Sequence, residues 1–255
     1  MDRTEPAVKI RPAATVMLAR DTGTGPEIYM LRRSPRSAFL PEVFVFPGGA
    51  VDALDAELAR TRLLRNAENP NPQRESADPA FEVAALREAF EEAGILLTAD
   101  SNGFPAVLDD AQLREQRTAL HAGTTTLNAI LEAFGVVLDS RRLWHFSHWI
   151  TPPTESHRFD THFYLAFAPP GQAASSDEIE THAGLWISPA DALRRNADGN
   201  FPMIFPTIMH LERLAPYTTL DAMHGFAMTK SIYAVEPVEA DPRHFVLPDG
   251  LDGRW

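Results

Sequence analysis

Glu88, Glu91 and Glu92 fall in the run ALREAFEEAGI (residues 85–95) at spacings i, i+3 and i+4. On a helix those spacings put three carboxylates on one face, where each like-charged pair destabilises by about 0.2–0.5 kcal/mol. Gly94 is the residue type that ends helices, so the acids also lie near a negative helix end that disfavours anions. A solvated acidic face is the plain explanation. A divalent cation is the alternative that accounts for both penalties, because shared coordination turns repulsion into attraction. Hard Mg²⁺ accepts carboxylate and carbonyl oxygens and keeps several waters. Arg87 adjoins the acids, where it can orient one of them. Gly48 and Gly49 end an upstream strand, which lets backbone come close to a ligand.

The helix itself is well marked. Asp78-Pro79 supplies an N-cap and a proline at the first helical position, and Phe81, Ala84, Ala85, Phe90 and Ala93 recur among the acids at helical spacing. Upstream, AATVMLA (13–19) and EIYMLRR (27–33) flank RDTGTGP and read as an antiparallel hairpin, and VFVFPGG (43–49) is a short strand. Residues 52–66 have helical composition, followed by a polar, proline-broken loop at 68–78. Downstream, helices are expected at 110–120 and 126–134, and strands at 135–139, 142–150, 161–168 and 185–188. SPADALRR opens another helix, 205–226 is helical in pieces, and the tail from Glu236 carries no assignment.

A chain of 255 residues with 44% hydrophobic residues can bury a sizeable core. Its net charge of −12 and pI near 5.2 argue against nonspecific binding to nucleic acid or an anionic membrane. The absence of cysteine excludes disulfides and thiolate metal sites. The first dozen residues lack a signal peptide's apolar stretch, and no apolar run reaches membrane-spanning length. The expectation is a cytoplasmic protein.

REAFEEAGI resembles the second half of the Nudix box, G-x5-E-x7-R-E-U-x-E-E-x-G-U with U bulky and apolar, and FPGG at 46–49 resembles the strand end that opens it. The resemblance implies a Nudix-type α/β/α sandwich with a mixed β-sheet over one domain, 1–255. That domain would carry an insertion at about 51–78, a helical segment at about 105–134 and a helical C-terminal extension at about 189–255. The chain departs from the pattern in one place. Gly49 lies 38 positions before Arg87 where the box has 14, so 24 residues are inserted. Counted back from Arg87, the first box glutamate falls on Pro79; Glu75 and Glu82 are candidate replacements. An insertion inside the box is similar to the acyl-coenzyme A diphosphatase branch, as are LRRS…FVFPGG, WITP followed by RFDT, and LREAFEEAGILL. A related coenzyme A signature would have arginine at 38 and glycine at 42, where this chain has Ala38 and Glu42.

The resemblance implies hydrolysis of a diphosphate linkage with Mg²⁺ or Mn²⁺. Glu91, Glu92 and the Gly48 carbonyl would be metal ligands, Glu88 a further ligand or the general base, and Arg87 the residue that holds a glutamate. A late-loop acid, Glu180, six positions before Trp186, is a further catalytic candidate, with Glu178 and Asp177 as competitors. Arg32, Arg33 and Arg158 are candidates for substrate phosphates. Strand alternation sends Arg32 and Arg33 to opposite faces, so one of them at most reaches a cleft. His145 and His148, three apart in a strand, are expected on opposite faces and not as joint ligands. Trp144, Phe146 and Trp149 read as core. The substrate implied first is coenzyme A or an acyl-coenzyme A. ADP-ribose or another nucleoside diphosphate derivative is the second, and a nucleotide sensor without catalysis the third. Partners are then a small-molecule diphosphate, with no nucleic acid and no membrane. Dimers are common among similar proteins, which makes a homodimer the assembly to test.

Overall fold

The computed structural model describes residues 8–37, 40–65, 78–179, 181–241, 244–251 and 255. The hairpin forms as expected, β1 (Ile10–Asp21) turning through Gly23 and Gly25 into β2 (Pro26–Arg33). Both glycines sit at positive φ, which side-chain-bearing residues rarely adopt. Next come β3 (Phe44–Val45), β4 (Gly48–Ala50), α1 (Ala53–Leu58), β5 (Leu64–Arg65), α2 (Pro79–Ala93) and β6 (Thr98–Ala99). They are followed by α3 (Asp110–His121), α4 (Leu127–Phe134), β7 (Val137–Asp139), β8 (Trp144–Ile150), β9 (Arg158–Phe167) and β10 (Thr181–Ile187). The remainder is α5 (Pro189–Ala197), α6 (Phe205–Leu214), α7 (Leu220–Thr229), β11 (Ala234–Val235), β12 (Val238–Asp241) and β13 (His244–Val246).

The main sheet runs β10-β2-β1-β9-β8-β11, with β3 against β2 and β4 against β1. Within it β1–β9 and β8–β11 are parallel and the other pairs antiparallel, so the sheet is mixed. Side chains alternate across it with the period of two that a strand dictates. Ala14, Val16 and Leu18 of β1 pack on one face with Ala85, Ala89 and other residues of α2. Met17 and Ala19 face the opposite way, into a cluster with Leu211 of α6, Met223 of α7 and Trp255. Helices therefore cover both faces. No helix among the described residues is long and apolar enough to cross a membrane.

α2 begins and ends where its sequence directs. The Asp78 carboxylate accepts from the Ala80 N–H at 3.0 Å, Pro79 occupies the first turn, and Gly94 ends the helix in the left-handed region at φ 72°. Two expectations change, and the unassigned tail gains structure. The helix expected over 52–66 is confined to α1, after which Thr61 Oγ1 donates to the Leu58 carbonyl and the chain enters β5. In the tail from Glu236, which carries no assignment from sequence, β12 and β13 pair with each other, and just before it β11 joins the main sheet. His145 and His148 share a face, because the β8–β9 register slips between His145 and Ser147. The slip is a β-bulge, and one extra residue inverts the alternation counted from sequence.

Candidate active site

The site is built where β4 meets the C-terminal half of α2. Gly48 and Gly49 pair with Thr15 and Ala14 of β1, which fixes them beside the helix. The Gly48 N–H donates to Glu92 Oε2 at 2.8 Å. A Cβ on Gly49 would stand 2.3 Å from Glu88 Oε1, so only glycine lets this strand approach the carboxylate. A Cβ on Gly48 would instead meet Thr15 Oγ1 and the Ala14 backbone, at 2.5 and 2.7 Å.

Arg87 is the hub. Its Nη1 donates to Glu88 Oε1 at 2.7 Å and to Glu91 Oε2 at 2.8 Å. Its Nε and Nη2 hold Asp55 Oδ1 and Oδ2 at 2.8 and 3.0 Å, and Nη2 also reaches the Ala50 carbonyl at 2.9 Å. Burial opposes the charge on this guanidinium. The Asp55 bonds and the charges of Glu88, Asp55 and Glu91 outweigh burial and hold its pKa above the ordinary arginine value. The expected Arg–glutamate contact is present, made to two glutamates at once.

Asp55 was missed in the sequence, and it resolves the departure from the box. It stands six positions after Gly49, the spacing of the pattern's first glutamate, whereas Pro79 was reached by counting back from Arg87. The extra 24 residues therefore fall between Asp55 and Arg87, which are 32 apart where the pattern has eight. Asp55 is 1% exposed and is locked by a reciprocal capping box: its N–H donates to Asp52 Oδ1 and its Oδ2 accepts from the Asp52 N–H. Of the replacements expected, Glu82 lies in the first turn of α2, and Glu75 lies outside the described residues.

A second arginine, Arg117 of α3, also had no signal in the sequence. Its Nε donates to the Glu91 carbonyl at 2.8 Å and its Nη1 to the Ser175 carbonyl at 3.0 Å. It thereby ties the loop before β10 to the acidic end of α2. Burial lowers its pKa, against the raising influence of Asp177, Tyr29, Glu92 and Glu91. In that loop Asp177 Oδ1 accepts from the N–H groups of Ile179 and Thr181 and from Thr181 Oγ1, bonds that shape the turn. Glu178, at φ 59°, pairs with Ser176 Oγ. Glu180 lies outside the described residues.

Gly48, Gly49 and Ala50 also line one wall of a cleft of about 790 Å³ on the sheet's opposite face. Phe46, Trp149, Phe163 and Phe205 give it an apolar lining, and Arg11 and Arg33 bring positive charge. Of the arginines singled out in the sequence, Arg33 reaches this cleft. Arg32 turns away, as alternation requires, into an ion pair with Glu42 at 2.7 Å. Arg158 donates to the Thr151 carbonyl and pairs with Glu236 at 2.8 Å. Arg11 was not anticipated.

The donor set at α2 is all oxygen: Glu88 and Glu92 are 8% and 5% exposed, Glu91 is half-buried, and the peptide groups of β4 lie beside them. That chemistry fits a hard divalent cation and suits neither thiolate-seeking nor imidazole-seeking metals. A mixed sheet between helices, with a glycine strand facing an R-E-x-x-E-E helix, is the Nudix arrangement. The family model described as the NUDT19 Nudix domain matches residues 59–214. The acyl-coenzyme A diphosphatase NUDT19 of Gallus gallus is 31% identical, over 89% of this chain and 73% of that protein. The Homo sapiens protein of the same name is 24% identical, over 89% of this chain and 74% of its own length. A crystal structure of a Nudix hydrolase from Alicyclobacillus acidocaldarius superposes with a TM-score of 0.73 at 32% identity, covering 89% of this chain and all of that one. The chain belongs to the Nudix hydrolases, in the NUDT19 branch. It is thus a pyrophosphohydrolase by class, and enzymes of this class generally use divalent metals.

Proposed function

We propose that the protein hydrolyses the diphosphate of coenzyme A or an acyl-coenzyme A, giving 3′,5′-ADP and a phosphopantetheine product, with Mg²⁺ or Mn²⁺. The observation that carries this reading is the pairing of two environments on one strand. Gly48 and Gly49 border the acid cluster on one side and the cleft of Phe46, Trp149, Arg11 and Arg33 on the other. A substrate with a diphosphate, a further phosphate and a long arm of methylenes and amides, extended by an apolar chain in its acyl forms, needs both. The names of the relatives support the same substrate class.

Glu91, Glu92 and the Gly48 carbonyl would hold the cation, which supplies Lewis-acid stabilisation of phosphoryl charge and an acidified water when bound. Glu88 removes the proton from the attacking water, in the role of general base. Arg87 fixes the carboxylates of Glu88 and Glu91 relative to each other. Arg33 neutralises a substrate phosphate bidentately; Glu180 is kept as an auxiliary acid, while Arg32 and Arg158 are placed outside the phosphate contacts. The extra residues of the box, the helical segment and the C-terminal extension belong to the same domain, acting in the cytoplasm on a free small molecule.

Incubation with coenzyme A, a medium-chain acyl-coenzyme A and ADP-ribose, each with and without Mg²⁺, tests the proposal by product mass. The expected products are 3′,5′-ADP and 4′-phosphopantetheine or its acyl form, with Arg33→Ala raising KM more than it lowers kcat. Cleavage of ADP-ribose with coenzyme A untouched would overturn it.

A further inference from the structure

Away from the acidic site, the sheet presents a second set of metal-type donors. The bulge in β8 brings His145 and His148 onto the face that His162 and Asp160 of β9 also occupy. The ring of His162 stacks between the other two, with centroids 4.9 Å from His145 and 4.4 Å from His148. Phe81, in the first turn of α2, covers it at 4.3 Å. One ring nitrogen each from His148 and His162 and one carboxylate oxygen of Asp160 lie within 4.8 Å of one another. His148 Nε2 and Asp160 Oδ1 are in hydrogen-bond contact. His145 Nε2 stands 3.1 Å from His162 Nδ1.

We infer that His148, His162 and Asp160 form a binding site for a borderline transition cation of the Zn²⁺ or Co²⁺ type, separate from the all-oxygen site on α2. Two imidazoles and a carboxylate match the ligand preferences of such ions and not those of Mg²⁺. Ligands of one tetrahedral zinc, bound at about 2.0–2.2 Å, stand roughly 3.4 Å apart, so the widest of these separations needs to close by no more than about 1.4 Å while the His148–Asp160 contact opens slightly. Because His145 engages Nδ1 of His162, we take Nε2 as the nitrogen offered to the ion, the arrangement by which an outer partner fixes a ligating ring. With three protein donors, a fourth position is left for water or another small ligand. His145 is a positioning residue here. Coordination through His148 Nε2 replaces its hydrogen bond to Asp160, the neutral ring then carrying its proton on Nδ1. The ion would join neighbouring strands beneath the start of α2.

The test uses the full chain, stripped with a chelator and dialysed, in a Glu91→Gln/Glu92→Gln background that disables the oxygen site. Co²⁺ is titrated and followed by its visible absorption. The expected result is one equivalent bound, displaced by Zn²⁺ and unaffected by a large excess of Mg²⁺. His148→Gln and His162→Gln should each weaken binding at least tenfold, and His145→Gln about 10–100-fold, the usual effect of removing an outer partner. Far-UV circular dichroism confirms folding; Asp160→Asn, at a half-exposed side chain, serves if a histidine variant fails to fold. Absence of Co²⁺ binding in the background variant, or binding indifferent to His148, His162 and Asp160, overturns the inference.

Discussion

Asp55→Asn is the substitution that bears most directly on how the interrupted box is completed. Asparagine keeps the shape and one carbonyl oxygen, which can still receive Arg87 Nε. The other position becomes an NH₂ that faces two donors, Arg87 Nη2 and the Asp52 N–H. Each charge-assisted hydrogen bond contributes about 1.5–3 kcal/mol, and removing one partner of a buried ion pair costs about 3–5 kcal/mol. The side chains of Asp55 and Arg87 are 2% and 14% exposed, so solvent repairs little of the loss. Arg87 keeps Glu88, Glu91 and the Ala50 carbonyl, which puts the cost near the low end, about 3 kcal/mol. For a protein of this size each kcal/mol corresponds to about 2–4 °C, so Tm should fall by roughly 6–12 °C. Thermal melts by circular dichroism measure this, with Glu82→Gln as the comparison at the position weighed from sequence. At this half-buried position in the first turn of α2 the loss should be smaller, about 1 kcal/mol. Loosening Arg87 also frees Glu88 and Glu91, so kcat should drop and more Mg²⁺ should be needed for half-activity. An Asp55→Asn protein that melts with wild type, while Glu82→Gln falls by several degrees, would refute the assignment of Asp55 as the acid that completes the box.

Gly49→Ala should lower kcat about 100-fold and Tm by several degrees, since its methyl displaces the buried Glu88 carboxylate that Arg87 holds. Gly48→Ala, which meets strand backbone instead, should show the loss as a lower Tm. Glu88→Gln should reduce kcat by about 10²–10⁴-fold with the fold intact; turnover near wild type at saturating Mg²⁺ would exclude it as the base. Lys230 is buried, and burial, with the charge of Arg213, lowers its pKa to about 7 from 10.5. The unfolded chain therefore binds more protons between pH 7 and 10.5, and this group makes stability rise with pH across that window. Lys230→Met should flatten that rise in denaturant titrations at pH 6.5, 8 and 9.5; an unchanged slope would show that Lys230 is not its source.

What was legible in the sequence follows from the range of the forces involved. α2 is written in local chemistry, an Asp-Pro start, a glycine stop and an apolar spacing, and each acts within a turn or two of chain. The hairpin and the two halves of the box are local in the same sense. Arg117 is not: it lies 26 residues from Glu91 and 58 from Ser175, joined to both by backbone carbonyls that leave no mark on residue type. The shared face of His145 and His148 was hidden differently. Counting by twos presumes an unbroken ladder, and a single bulge reverses every assignment beyond it.

Asp55 shows how a motif can be intact in space and unreadable along the chain. Spacing is a proxy for geometry only while the intervening residues form one fixed path. Between Gly49 and Asp55 that path survives, because β4 leads directly into α1 and the capping box sets the helix's first turn. Between Asp55 and Arg87 it does not, since α1 and β5 intervene and β5 joins a small sheet with β7 and β6. The carboxylate nevertheless meets the guanidinium bidentately, because each is held by its own element and the elements dock as α1 on α2. Extra chain adds little to the cost of closing such a loop, which grows only with the logarithm of its length. An insertion at this point is therefore tolerated when both flanking elements keep their capping and packing. Aspartate serves where the pattern has glutamate for the same reason, since the position of α1 sets the reach required of the acid.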